Sequence, residues 1–372
     1  MELDSTLIGN RIAQARAQEG ISQTDLARLT SIQRTALAKI ESGARRVTAV
    51  ELSSIASQLD QRIEWFLAPS PRAVIAHRAN RDPEATNSVI DDLLEELARE
   101  AEFLQSLDDS LIPEDVPPTF ARPKSEKEAD DLAGTARKLF GLNALEPVYD
   151  IQTLMAKIGL LAFSARLGTD TADAGTIALN RGAVSVVNSD NKGGRRRLAL
   201  AHELGHYLVA DEYTVDWSVA EHNVSQAVES QLDHFARALL LPSKALAKLW
   251  KERVRQDDFR TSAVVVGSFF RVDMATLARR LLELGLVDDS AASAVRAAKT
   301  TQADIVEYNL LVPHELEDTS LPRRYQQAII KLFKQGRISG ARAAELLRGT
   351  LDEESLPAIP QQPESEIWKL TS

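Results

Sequence analysis

Arg197-Leu198-Ala199-Leu200-Ala201-His202-Glu203-Leu204-Gly205-His206-Tyr207-Leu208 is the stretch that decides the fold. It contains His-Glu-x-x-His, and its flanks are apolar, rich in helix formers and free of proline. On a helix the two imidazoles stand one turn apart on the same face. That spacing suits two corners of a tetrahedral zinc site and leaves Glu203 free to work on a water. Only six histidines occur in the 372 residues, and two of them fall here at ligand spacing.

Two histidines do not hold a catalytic zinc, which needs a third protein ligand and a position left open. The next helix, Val224 to Pro242, offers candidates. Glu229 and Asp233 lie at i and i+4 and share a face. A Glu reaching the metal, with an Asp one turn on that accepts a hydrogen bond from a ligand imidazole, makes a sound pair. His222, His234 and Gln231 are the rivals. Tyr207, Tyr213 and His222 are candidates for a donor to the oxyanion.

The 44% hydrophobic and 26% charged content is that of a globular protein, and the length fits two or three domains. No apolar run reaches the roughly 18 residues of a membrane-spanning helix. Met1 to Ser5 lacks the basic and then apolar layout of a signal peptide, so a cytoplasmic location and no membrane partner are expected. With no cysteine, any metal must be held by histidine and carboxylate. The net charge of −10 argues against affinity of the whole chain for nucleic acid, so DNA binding must come from a local surface.

Residues 1–67 are expected to form a compact bundle of short helices. Ile8, Ile12, Ala15 and Arg16 give one amphipathic period, ended by Gly20. Ser22 is a good N-cap for Gln23 to Leu29, and Gly43 stops the helix that begins near Gln33. A further helix follows from Val47. The stretch Ile21-Ser22-Gln23, Leu26-Ala27 and Ala36 to Gly43 resembles the Xre/Cro-type helix-turn-helix repressors. The resemblance implies that Gln33, Arg34 and Thr35 face base edges, while Gln23, Lys39 and Arg45 or Arg46 hold phosphates.

Residues 68–125 read as a proline-bearing linker. Within it Arg72 to Ala79 is expected to be a strand, and Ser88 to Leu107 a connector helix packed on a neighbour or on its dimer mate. Pro117-Pro118 to Pro123 is expected to be the flexible hinge. From residue 126 to 300 the pattern is α+β: helices at Glu126–Gly141 and Ile151–Ile158, then strands at Leu160–Arg166, Ala174–Asn180 and Ala183–Asn188, before the histidine helix. Ser268 to Leu281 has the look of a second, degenerate helix-turn-helix, read as a helical pair completing this core. Residues 301–350 form a small helical module, and 351–372 an acidic tail.

Ala183 to Asn188, Arg197 to His206 and Glu229 to Pro242 together resemble the ImmA/IrrE metallopeptidases. Those proteins carry the histidine pair and then Glu, three residues, Asn or Asp, one residue, Phe-Ala, and Leu-Leu before Pro. Here these are Glu229, Asp233, Phe235-Ala236, Leu239-Leu240 and Pro242. The resemblance implies a zincin-like fold in which His202, His206 and Glu229 bind Zn2+, Glu203 is the general base and Asp233 supports the ligands. Ala210 stands where relatives often have another His, outside that ligand set.

The two resemblances imply a transcriptional regulator that joins a DNA reader to a zinc endopeptidase. Its partners would be a double-stranded operator, a repressor-type substrate and a second copy in a homodimer, and its cues stress or mobile-element signals. The Pro-rich stretch Leu111 to Pro123 would be a self-cleavage target. The alternative is an antitoxin-like autorepressor of a toxin–antitoxin or phage-defence pair, binding a cognate toxin, in which the peptidase domain senses rather than cuts.

Overall fold

The computed structural model describes residues 5–59, 61, 63–67, 89–168, 172–210, 213–216, 226–311 and 314–358. The chain divides into two units, Met1–Ser70 and Pro71–Ser372. The fold is α+β and mostly helical, with an all-α N-terminal unit, a domain built on a small sheet, and C-terminal helices.

In the first unit α1 (Ser5–Gln18), α2 (Gln23–Leu29), α3 (Arg34–Glu41), α4 (Ala49–Gln58) and α5 (Ile63–Leu67) follow the expected order. Ser22 Oγ accepts the backbone N–H of Asp25 at 3.2 Å, the cap that starts α2. Thr48 and Glu51 form a reciprocal capping box at α4. Ile8, Ile12, Leu26, Leu37, Ile40, Leu52, Ile55 and Phe66 are buried together. A side chain at Gly9 would collide with the Ile40 carbonyl, so α1 and α3 cross at close range.

The second unit is organised on four strands, β1 (Leu160–Ala165), β2 (Ala174–Ala178), β3 (Ala183–Asn188) and β4 (Tyr213–Asp216), in the order β1-β3-β2-β4. β1 runs parallel to β3 with Leu160 opposite Ala183; β2 runs antiparallel to β3 and β4. β4 is too short to have left an apolar pattern and was not anticipated. Side chains alternate between two buried faces. Leu160, Ala162, Ala174, Ala183 and Val187 join the core of the histidine helix. Leu161, Phe163, Ile177, Val184 and Val186 join a second core with the connector helix Val89–Leu107 and the C-terminal helices Arg323–Lys334 and Gly340–Leu346. Burial on both faces explains why β3 reads as a continuous β-branched run.

The connector helix buries Ile90, Leu94, Leu97, Ala98, Ala101 and Leu104 inside its own unit, which resolves its expected partner in favour of a neighbour in the same chain. The C-terminal helices complete the cover: the Tyr325 ring stands edge-on to Phe163 at 5.0 Å, and its hydroxyl donates to Glu100 at 3.1 Å. The expected hinge touches the histidine helix at one point. Phe120 N–H donates to the Leu208 carbonyl at 2.9 Å, satisfying an orphan acceptor at the end of the histidine helix.

The suspected second helix-turn-helix is Phe259–Phe270 and Met274–Glu283, bent by 101°. Thr276, Leu277, Ala278, Arg280 and Leu281 are buried, so the pair is part of the core. The expected strand at Arg72 to Ala79 lies outside the described residues, as do residues 359–372 of the tail. Among the described residues no single helix is long and apolar enough to cross a membrane.

Candidate metal centre

The histidine helix, Gly193–Leu208, runs against the sheet on one side and the helix Gln226–Leu240 on the other. Gly205 makes that second contact close. A Cβ there would lie 3.1 Å from both Leu232 Cδ2 and Phe235 Cδ1. Approach at this range brings Glu229 over the histidine pair.

His202 Nε2 lies 3.0 Å from His206 Nε2 and 3.1 Å from Glu229 Oε2, and His206 Nε2 lies 3.5 Å from the same oxygen. A tetrahedral zinc with bonds of about 2.0–2.1 Å separates its ligand atoms by about 3.3–3.5 Å, so these three atoms fit one face of such a site. Among the described residues they form the one group recognised as able to hold a metal. Hydrogen bonds from His202 and then His206 hold the Glu229 carboxyl well below the usual carboxylate range. His202 Nδ1 lies 3.0 Å from Asp233 Oδ1, so the carboxylate can hold the proton on Nδ1 when Nε2 gives up its own proton to bind a metal.

Glu203 is 0% exposed, and both histidines are buried. The side chains of Glu229 and Asp233 are 45% and 56% exposed, so the site opens on the carboxylate side. His234, a rival ligand, is buried elsewhere, its Nε2 3.1 Å from Arg280 and 3.4 Å from Asp130. Gln231 is half-buried on the same helix. Tyr207 donates its hydroxyl to the Ile158 carbonyl at 2.7 Å, and burial pushes its pKa up. It therefore supports the start of β1. His222 and the side chain of Tyr213 lie outside the described residues. Ala210 sits in the left-handed turn, φ 57°, that ends the helix.

Sequence reasoning missed what anchors the helix start. Arg197 is 1% exposed, yet a charged residue ahead of an apolar run looks solvent-facing. Its guanidinium donates to Glu315, to the Val148 carbonyl and, at 3.1 Å, to the Arg271 carbonyl. Glu315 also accepts the Ile151 N–H. These partners lie 49 to 118 residues away in sequence, so no local pattern could reveal them.

In the first unit Gln33 is the N-cap of α3, and Arg34, Thr35 and Lys39 are exposed along that helix. Gln23 donates to Glu41 at 2.7 Å, and Arg45 donates to Glu51 at 2.8 Å. Glu41, buried and also paired with Arg16 at 2.7 Å, ties α1, α2 and α3 together and was not anticipated.

Residues 12–66 match the helix-turn-helix family, and residues 163–282 match the family described as the IrrE N-terminal-like domain, a metallopeptidase family. The chain is a helix-turn-helix fused to an IrrE-like domain. The IrrE-like match opens in β1 and closes in the buried helix Met274–Glu283, taking in the sheet and the whole candidate metal centre. No curated protein matches the chain. Two solved structures align with it weakly. Bacillus thuringiensis PlcR in complex with the peptide PapR7 and DNA is 10% identical over 92% of each chain, with a TM-score of 0.18. The apo form of the competence regulator ComR from Streptococcus vestibularis is 12% identical over 89% of this chain and 99% of that one, with a TM-score of 0.17. At such scores neither supports a structural argument.

Proposed function

We propose that the chain is a DNA-binding transcriptional regulator whose IrrE-like domain is a zinc-dependent endopeptidase, acting on a repressor-type protein or on the chain itself in response to stress or mobile-element signals. The observation that carries this reading is the triangle of His202 Nε2, His206 Nε2 and Glu229 Oε2, with edges of 3.0, 3.1 and 3.5 Å. Bound zinc supplies a Lewis acid that activates water and polarises a carbonyl.

The protein's own groups do the rest. Asp233 holds the His202 ring in the tautomer that presents Nε2. Glu203, on the turn between the two histidines, takes the proton of the attacking water and returns it to the leaving amine nitrogen. The exposed flank at Glu229 and Asp233 is the side from which a peptide enters. On the first unit Gln33, Arg34 and Thr35 read bases from the exposed start of α3, and Lys39 holds a phosphate.

The test combines metal content with cleavage. Native protein carries one zinc per chain, and His202→Ala loses it. Glu203→Gln keeps the zinc and the fold and loses about 10²–10⁴-fold of the cleavage rate on itself or on an unstructured reporter protein. A metal-free native protein, or full cleavage by Glu203→Gln, refutes the enzymatic reading. A zinc-loaded Glu203→Gln protein that regulates normally in cells favours a sensing, antitoxin-like role.

A further inference from the structure

We infer that an exposed row of four cations on the helix Ser243–Gln256 grips the phosphate backbone of duplex DNA, giving the second unit a sequence-independent DNA contact of its own. The row is Lys244, Lys248, Lys251 and Arg255, all exposed. At about 100° per residue these positions fall within an arc of about 60°, and they span about 16 Å along the helix axis. The opposite face is fixed, since Ala245, Leu246 and Trp250 are buried in the core. The row therefore points outward whatever else the unit does.

Two features separate this row from an ordinary solvated face. The first is that its charges have no ion-pair partner among the described residues. Neighbouring cations are neutralised, Arg253 by Asp257 at 2.9 Å and Arg260 by Asp304 at 2.7 Å. No ion pair is formed by the four among the described residues, and like charges at i, i+4 oppose the helix by a few tenths of a kcal/mol per pair. Glu252, exposed on the flank of the row, is the one acid on this helix.

The second feature is the charge of the surroundings. Residues 1–70 carry eight Lys or Arg and eight Asp or Glu, so the net −10 of the chain falls on the second unit. A concentrated cationic row on an acidic body is a local surface for a polyanion. Beyond about 8–10 Å at physiological salt the acidic remainder is screened, and the row acts alone. Its steps of about 4.5–6 Å compare with one phosphate per about 3.4 Å of axis on each DNA strand. Lysine and arginine side chains set along one line of a helix are groups that hold phosphates.

The inference rests on DNA binding by the first unit. It is tested with the full chain and a fluorescent mixed-sequence duplex of about 30 base pairs, titrated between about 50 and 200 mM salt, the range over which phosphate contacts show in affinity. Replacing all four cations by Gln makes the slope of log K against log salt shallower by about 3–4, at about 0.9 per phosphate contact. Affinity falls by the same factor on any sequence, and circular dichroism shows an unchanged fold. Lys→Arg at the three lysines keeps the wild-type slope. Arg34→Ala, in contrast, loses sequence preference and keeps most of the slope. A quadruple variant that keeps the wild-type slope and affinity overturns the inference and leaves the first unit as the DNA reader; a row serving an acidic protein gives this result. A wild-type chain that binds no duplex at low salt overturns both.

Discussion

Replacing Gly205 by alanine puts a methyl group where the histidine helix meets the helix that carries Glu229. The added carbon lies 3.1 Å from Leu232 Cδ2 and Phe235 Cδ1, whereas relaxed carbon contacts sit at about 3.5–4.0 Å. The helices must part by several tenths of an ångström. Such overpacking costs about 1–3 kcal/mol, and alanine recovers up to about 1 kcal/mol of helix propensity. The net loss, about 0–3 kcal/mol, is small beside the roughly 5–15 kcal/mol that keeps a domain folded. Metal binding feels the change more. Glu229 rides on the displaced helix, so its oxygen moves from positions 3.1 and 3.5 Å from the two imidazole nitrogens. We expect zinc affinity to fall about 10–100-fold, the range seen when the support around metal ligands is disturbed. Competition against a chromophoric chelator measures this, with thermal melting as the control for folding. Leu232→Ala in the Gly205→Ala background removes one collision and recovers part of the affinity. Unchanged zinc affinity in Gly205→Ala, or no coupling with Leu232→Ala, refutes the idea that this glycine sets the ligand geometry.

Other substitutions probe the supports of the site and of the sheet. Asp233→Ala frees the His202 ring and lowers zinc affinity about 10–100-fold in the same chelator assay, with little change in melting. Arg197→Met leaves Glu315 and two buried carbonyls without their donor and destabilises the second unit by about 3–5 kcal/mol in urea denaturation. At Asp108 burial raises the pKa, but bonds from Lys331 at 2.9 Å and from Ser110 hold it below its ordinary value of 3.8. A depressed folded-state pKa contributes stability above the unfolded pKa and loses it as pH falls through the folded one. Asp108→Asn therefore destabilises by about 1–2 kcal/mol at pH 7, and the difference from wild type closes below pH 3.8 in urea titrations across pH.

Much of the candidate site was legible because its information is local or periodic. His202 and His206 are four apart on an apolar helix, and Glu229 and Asp233 repeat that spacing on the next one. The structure places these four side chains together. The caps at Ser22 and the strand Ala183–Asn188 were visible for the same reason. What stayed hidden depends on partners distant in sequence. Gly205 looks like a helix weakness until Leu232 and Phe235 are seen against it. Nothing near Gln23 in sequence reveals that its amide donates to Glu41. The connector helix and the C-terminal helices each showed an unexplained apolar face, because each covers part of the same side of the sheet.

That shared cover has a consequence for how the protein is made. Glu100 meets Tyr325 across 225 residues of sequence and Arg348 across 248. At a synthesis rate of about 5–20 residues per second, the connector helix waits about 10–50 s for its partners to leave the ribosome. The first unit has its whole core in hand long before then. From the completion of its strands until then, one side of the nascent sheet is covered by the connector helix alone and is partly open to chaperones, proteases and other nascent chains. Contacts so distant in sequence also make closure slow. The metal-bearing half of the protein is thus the last to become safe from degradation, and its abundance will follow the late helices more closely than the histidine pair.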